Sequence, residues 1–175
     1  MQAIWHYDSP LGGMTMAGDA AGLSALWFDS PAYLTPEPKT VVRLLPVFEE
    51  TVCWLDTYFS GIAPNFTPPL RPLGTPFRQA VWKILLEIPY GATTTYGQLA
   101  ARIARERSES HPQAAMPTPF RMSAQAVGGA VGHNPIALII PCHRVIGADG
   151  SLTGYAAGLD RKSWLLRHEQ LAKRR

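Results

Sequence analysis

Between Gln2 and Asp29 the chain carries three short apolar runs, around Ile4 to Tyr7, Met14 to Ala17 and Leu23 to Phe28, separated by SPLGG and GDAAG. Runs this short, punctuated by Gly and Pro, predict strands joined by tight turns. The proline-bearing SPAYLTPEP that follows predicts a loop. Beyond it Val41, Leu44, Leu45, Phe48, Val52, Leu55 and Phe59 recur at helical spacing, and Gly61 is placed to stop the helix. Cys53 and Trp54 lie inside this pattern with no base nearby in sequence, so both are assigned to packing.

From Ile62 to Gly74 the prolines Pro64, Pro68, Pro69 and Pro72 interrupt any period, which predicts an extended connection. The expected organisation is therefore an N-terminal unit over 1–61, a linker over 62–74 and a second unit over 75–175. Thr75-Pro76 is a helix-start pair ahead of Phe77, Val81, Trp82, Leu85 and Leu86, and Pro89 and Gly91 end that helix. TTTYGQLAA, from Thr93, predicts a hydroxyl-capped helix reaching about Arg105 or Arg107. A small-residue helix is expected over Ser123 to Val131, and the pair suggests a helix-turn-helix. Ala126, Gly128, Gly129 and Ala130 would let that second helix approach a nucleic acid backbone, or equally pack closely in a core. The intervening stretch is long for such a turn and predicts a surface loop with an exposed His111. Ile136 to Ile140 predicts a strand stopped by Pro141, and Asp160 to Gln170 a closing amphipathic helix around Trp164, Leu165 and Leu166.

Composition narrows the class. At 46% hydrophobic residues with five Trp, six Tyr and six Phe, the chain of 175 residues is globular rather than disordered. Two cysteines in contrasting settings do not form a secreted disulfide framework, which points to a reducing cytoplasm. No apolar stretch approaches the ~20 residues of a membrane span, and no metal-ligand spacing occurs. A net charge of +3 permits a polyanionic partner without requiring one.

The chemistry concentrates where the apolar run ends. Cys142 follows Pro141 and precedes His143 and Arg144, a setting in which cationic neighbours would lower the thiol pKa. A thiol nucleophile needs a base, and the base a third group to orient it. His143, Glu169 and Asn134 are the available parts. In an extended strand Cys142 and His143 would face opposite ways, so their contact needs the turn or a bridging water. Glu169 can equally be a surface carboxylate at a helix end, and Asn134, before Pro135, a turn residue.

PCHRVIG, GYAAG and RKSWLLRHE, together with TPFRQAVWK, TTTYGQLAA and AVGGAVGHNPIALIIPCHRVIG in that order, resemble the O6-alkylguanine-DNA alkyltransferases over Gly74 to Glu169. The resemblance implies an α/β (α+β) fold. A small three-stranded, ribonuclease H-like sheet with a helix would precede a mainly helical domain holding the helix-turn-helix and an active-site turn. It implies a monomer without cofactor or metal that binds double-stranded DNA carrying alkylated bases. The base would be flipped out, and the alkyl group of O6-alkylguanine, or of O4-alkylthymine, would pass irreversibly to Cys142, one equivalent per protein.

By the same resemblance His143 and Glu169 form the relay that makes the thiolate, Asn134 braces the turn and Tyr96 protonates the leaving base. Val145, Tyr155 and Ala156 would read the guanine, with Val131, Leu152 and Ala157 as pocket walls. Gln125, Ala126, Thr95, Gly97 and Arg78 would meet DNA. Gln125 departs from the family pattern, which has an arginine there to fill the space left by the flipped base. Two other readings remain: a lesion-binding protein without transfer, and a cysteine hydrolase that would turn over.

Overall fold

The computed structural model describes residues 2–30, 41–110 and 122–172. His111, most of the predicted proline loop and the stretch joining the two expected DNA-binding helices lie outside them.

The three apolar runs form β1 (Ala3–Ser9), β2 (Gly12–Asp19) and β3 (Gly22–Phe28), paired antiparallel in sequence order. Both turns use glycine where the backbone is left-handed, Gly12 at φ 107° and Gly22 at φ 148°. A short fourth strand, β4 (Val41–Val42), joins the outer edge parallel to β1. The expected helix therefore begins at Pro46 and not at Val41: α1 spans Pro46–Phe59. Val41 and Leu44 are exposed, at 44% and 42%. They fit the helical period by coincidence, and the proline at the first helical position fixes the true start. Within α1, Trp54 is buried as expected but Cys53 is exposed, so its packing assignment is corrected.

The proline-rich connection is extended and tied to the sheet: Leu23 N–H donates to Pro69 O at 2.8 Å and Arg71 N–H to Leu23 O at 2.7 Å. Helix α2 (Pro76–Leu86) begins at Thr75, whose hydroxyl accepts from Arg78 N–H. A two-residue strand, β5 (Thr94–Thr95), leads into α3 (Tyr96–Ser110). Thr95 caps α3 reciprocally with Gln98, the hydroxyl accepting from Gln98 N–H while Gln98 Oε1 accepts from Thr95 N–H. Helix α3 runs past the expected Arg107 end, carried by the Arg102–Glu106 pair one turn apart. Helix α4 (Ala124–Gly132), capped by Ser123, packs against both α2 and α3, the pairing expected of a helix-turn-helix.

Ile136 to Ile140 is not a strand. Only Ile136 bridges to Leu26 of β3; beyond it Ile139 N–H bonds Ala137 O, and Ile140 N–H bonds Ile136 O. Leu138 sits at φ 67° with its side chain fully buried. A continuous apolar run marks burial without distinguishing a strand from a packed turn, and here the backbone closes on itself. The chain then passes through a 3₁₀ turn (Cys142–Arg144) into β6 (Val145–Ile146), which pairs parallel with β5. The last helix, α5, spans Leu159–Ala172. No described helix is long and apolar enough to cross a membrane.

Candidate active site

Asn134 builds the turn that carries the thiol. Its Oδ1 accepts from Ile136 N–H at 3.0 Å, and its Nδ2 donates both to Ile140 O at 2.7 Å and to Cys142 Sγ at 3.0 Å. The side chain that closes the turn is thus the same one that touches the thiol. Cys142 is buried, at 7% exposure. Burial pushes its thiol pKa up, against the Asn134 hydrogen bond and the Lys162 charge, which pull it down. This corrects the expectation of a thiol acidified by its cationic neighbours: Arg144 faces Glu169, and the resting sulfur keeps its proton.

His143 and Glu169 are both fully buried. His143 Nε2 lies 2.7 Å from Glu169 Oε1. The same carboxylate accepts from Arg144 Nε and Nη2 at 2.9 Å each, from Tyr58 Oη at 2.9 Å and from Gly91 N–H at 2.8 Å. Gly91 stands at φ 71°, a left-handed conformation that costs glycine little, and this aims its N–H at the carboxylate. Burial alone would raise the Glu169 carboxyl, but the hydrogen bond from His143, with the hydrogen bonds and charge of Arg144, outweighs it and holds the pKa at about 2. Burial keeps His143 neutral, lowering its pKa against the pull of Glu169.

An ionised Glu169 can only accept, so the His143 proton sits on Nε2. The lone pair is left on Nδ1, which is buried and makes no hydrogen bond to any described protein group. The structure therefore places a neutral imidazole, the carboxylate that orients it and a thiol in one turn, with no direct sulfur–imidazole bond among the described hydrogen bonds.

Around them, Lys162 Nζ donates to Val145 O and to Thr153 O at 2.6 Å each, tying β6 to the loop before α5. Tyr155 and His143 meet in a T-shaped arrangement, centroids 6.5 Å apart, and the buried Tyr155 hydroxyl has no described partner. The Tyr96 hydroxyl donates to Thr153 O at 3.1 Å. Burial raises the Tyr96 phenol, so it remains protonated. Among the described residues no group of three or more His, Cys, Asp or Glu could hold a metal ion.

The model of the 6-O-methylguanine DNA methyltransferase, DNA binding domain, matches residues 76–171, more than half of the 175. The chain belongs to the 6-O-methylguanine DNA methyltransferase family. A methylated-DNA--protein-cysteine methyltransferase of Methanosarcina acetivorans is 42% identical over 163 residues, 93% of this chain and 95% of that one. One from Haemophilus influenzae is 40% identical over 98% of this chain and 89% of its own. The solved structure of Mycobacterium tuberculosis OGT in complex with DNA matches with a TM-score of 0.74 at 40% identity, over 97% of this chain and 94% of that one. The α+β fold expected from the motifs is the fold of that relative.

Of the site residues expected from the resemblance to 6-O-methylguanine DNA methyltransferases, Asn134, Cys142, His143 and Glu169 converge. Val145 and Val131 are buried, Tyr155, Leu152 and Ala157 half-buried, and Ala156 exposed. The Tyr96 hydroxyl is engaged by the loop rather than by Cys142. On the outer face Gln125, Ala126 and Gly97 are exposed, whereas Thr95 and Arg78 are half-buried. Gly129 and Gly132 of α4 open to free space where a Cβ would stand, while Gly128 packs on the Tyr96 ring.

Three contributors were missed: Tyr58, Gly91 and Lys162. Lys162 had a legible signal. Stepping back along α5 from Glu169 by four and by seven residues gives Leu165 and Lys162, the three buried positions of that helix. Reading only the apolar residues of α5 hides that stripe.

Proposed function

We propose that this chain repairs alkylated double-stranded DNA directly, moving the alkyl group from guanine O6 to Cys142 Sγ in a single irreversible turnover. The observation that carries the reading is a buried thiol, held by Asn134, one residue from an imidazole whose Nε2 is committed to an ionised glutamate and whose Nδ1 is unpartnered. The family supports DNA as the partner, as does the relative solved in complex with DNA. Residues 75–175 hold both activities in this proposal, and 1–61 form the supporting unit. The protein acts as a cytoplasmic monomer.

Base flipping brings O6-alkylguanine beside the turn. Cys142 passes its proton through a water to His143 Nδ1, and Glu169 stabilises the imidazolium. The thiolate then attacks the alkyl carbon in line; the carbon–O6 bond breaks and its electron pair goes to the guanine. Tyr96 supplies a proton to the departing base and recovers one from solvent. The net change is a thiol and an alkylguanine converted to a thioether and guanine. Because a thioether is a poor leaving group, the protein does not turn over.

The Val145 carbonyl keeps a second lone pair for the guanine amino group beyond its bond to Lys162. Tyr155 and the Ala156 backbone face the base, and Val131, Leu152 and Ala157 border the alkyl group. Mass analysis after mixing with an O6-methylguanine duplex should show one methyl-sized gain on the peptide containing Cys142. An unchanged mass, or product that keeps accumulating, would sink the proposal.

DNA meets the exposed start of α4, with Gln125 and Ala126 foremost and Thr95, Gly97 and Arg78 flanking. Glutamine at 125 lacks the charge and the flat cation with which an arginine stacks in the space of a flipped base. Gln125→Arg should raise the repair rate on duplex DNA about threefold to tenfold while leaving the rate on the free base unchanged. Equal rates on duplex DNA would show that residue 125 does not limit flipping.

A further inference from the structure

The relay carboxylate receives one of its hydrogen bonds from the far end of the sequence. Tyr58, in α1, is fully buried, and its hydroxyl lies 2.9 Å from Glu169 Oε1, the same oxygen that accepts from His143 Nε2 at 2.7 Å. Its ring is clamped by stacking on Trp54 at 5.3 Å, by edge contacts with Tyr90 at 5.7 Å and His143 at 6.4 Å, and by His168 at 5.5 Å. Its own carbonyl is bonded to His168 Nε2 at 2.8 Å, so α5 and α1 fix each other next to Glu169.

From this geometry we infer that Tyr58 is a positioning residue for alkyl transfer, through which the N-terminal unit sets how strongly Glu169 holds His143. Phenylalanine would fill the same space, so packing does not explain the hydroxyl. A phenol kept protonated by burial can only donate to the carboxylate it faces. By sharing Oε1 it draws charge from the Glu169–His143 bond and limits the basicity that the carboxylate lends to the imidazole. It also pins the carboxylate rotation that lines Oε1 up with Nε2. The other groups turned on Glu169 are Arg144 and His143 from the 3₁₀ turn and Gly91 N–H and Tyr90 from the segment after α2. Lys162 of α5 interacts with Cys142 and His143.

The inference rests on the reading that His143 is the base for Cys142. The test is the single-turnover rate of methyl transfer at saturating duplex, followed across pH in the full chain, with duplex affinity measured alongside. In Tyr58→Phe, Glu169 loses a donor and stabilises the imidazolium more. The acidic limb should therefore move up by roughly half a pH unit to one unit, with duplex affinity within about twofold. Incorporating 3-fluorotyrosine at 58, a stronger donor of nearly the same shape, should move the limb the opposite way even if the phenylalanine variant folds poorly. A limb unmoved by either change assigns Tyr58 to packing and overturns the inference. A wild-type protein that gains no methyl group overturns the underlying reading instead.

Discussion

Cys142→Ala is expected to abolish methyl transfer altogether while leaving a folded protein that still binds duplex DNA. The expectation follows from what the side chain touches. Sγ accepts a side-chain hydrogen bond from Asn134 Nδ2, and that group keeps Ile140 O at 2.7 Å when the sulfur is removed. The turn therefore survives, at a stability cost of about 1 kcal/mol for a small buried group. Cys142→Ser should be equally inactive, because an alcohol in this buried site is far harder to ionise than a thiol that burial has already made less acidic. Cys53→Ala is the control. Cys53 is exposed on α1, and its removal should leave both rate and stoichiometry unchanged. Methyl acceptance surviving in the Cys142→Ala protein would place the acceptor elsewhere and remove the basis of the mechanism.

The turn that carries Cys142, the proposed nucleophile, was legible because local chemistry and local backbone agree there. Pro141 ends the apolar run, Asn134 closes the turn with its own side chain, and the thiol is delivered to the same place by both. The helix starts at Thr75 and Ser123 were legible for a similar reason, since a cap is a short-range hydrogen bond written within four residues. What sequence could not give was partnership across the fold. Glu169 and Tyr58 are 111 residues apart, and nothing in the spacing of either announces the bond. Adjacency in sequence does not give proximity of charge at the thiol: Arg144 follows His143 but spends its guanidinium on Glu169 and Ile88 O. Val41 and Leu44 satisfied a helical period that the sheet edge overrode, because β1 offered β4 unpaired backbone groups. In each case long-range pairing outweighed a local pattern.

Glu169 should show the largest stability effect in the molecule. Removing its side chain as Glu169→Ala leaves the Arg144 guanidinium buried without a counter-charge, a change that typically costs about 3–5 kcal/mol. It also strands the hydroxyl of Tyr58 and the N–H of Gly91. Glu169→Gln preserves shape and separates charge from packing. In that variant His143 loses an ionised acceptor, and transfer should slow about 10²–10⁴-fold, the range general acid–base assistance commonly contributes. Stability against pH gives an independent reading. The Glu169 carboxyl titrates at about 2 in the folded protein against 4.5 ordinarily. Its contribution is thus complete above pH 4.5 and lost as pH falls toward 2, amounting to on the order of 3 kcal/mol. His143 acts in the same direction at higher pH. Its pKa is lowered by burial from 6.5, so acidification below 6.5 favours the unfolded chain, which takes up that proton first. Denaturant midpoints of the wild type should therefore decline below pH 6.5 and fall further below pH 4.5. Glu169→Gln should be less stable at pH 7 and lack the second decline. A second decline that persists in Glu169→Gln would mean that other carboxylates dominate acid unfolding, and the buried cluster would then be a catalytic arrangement with little hold on the fold.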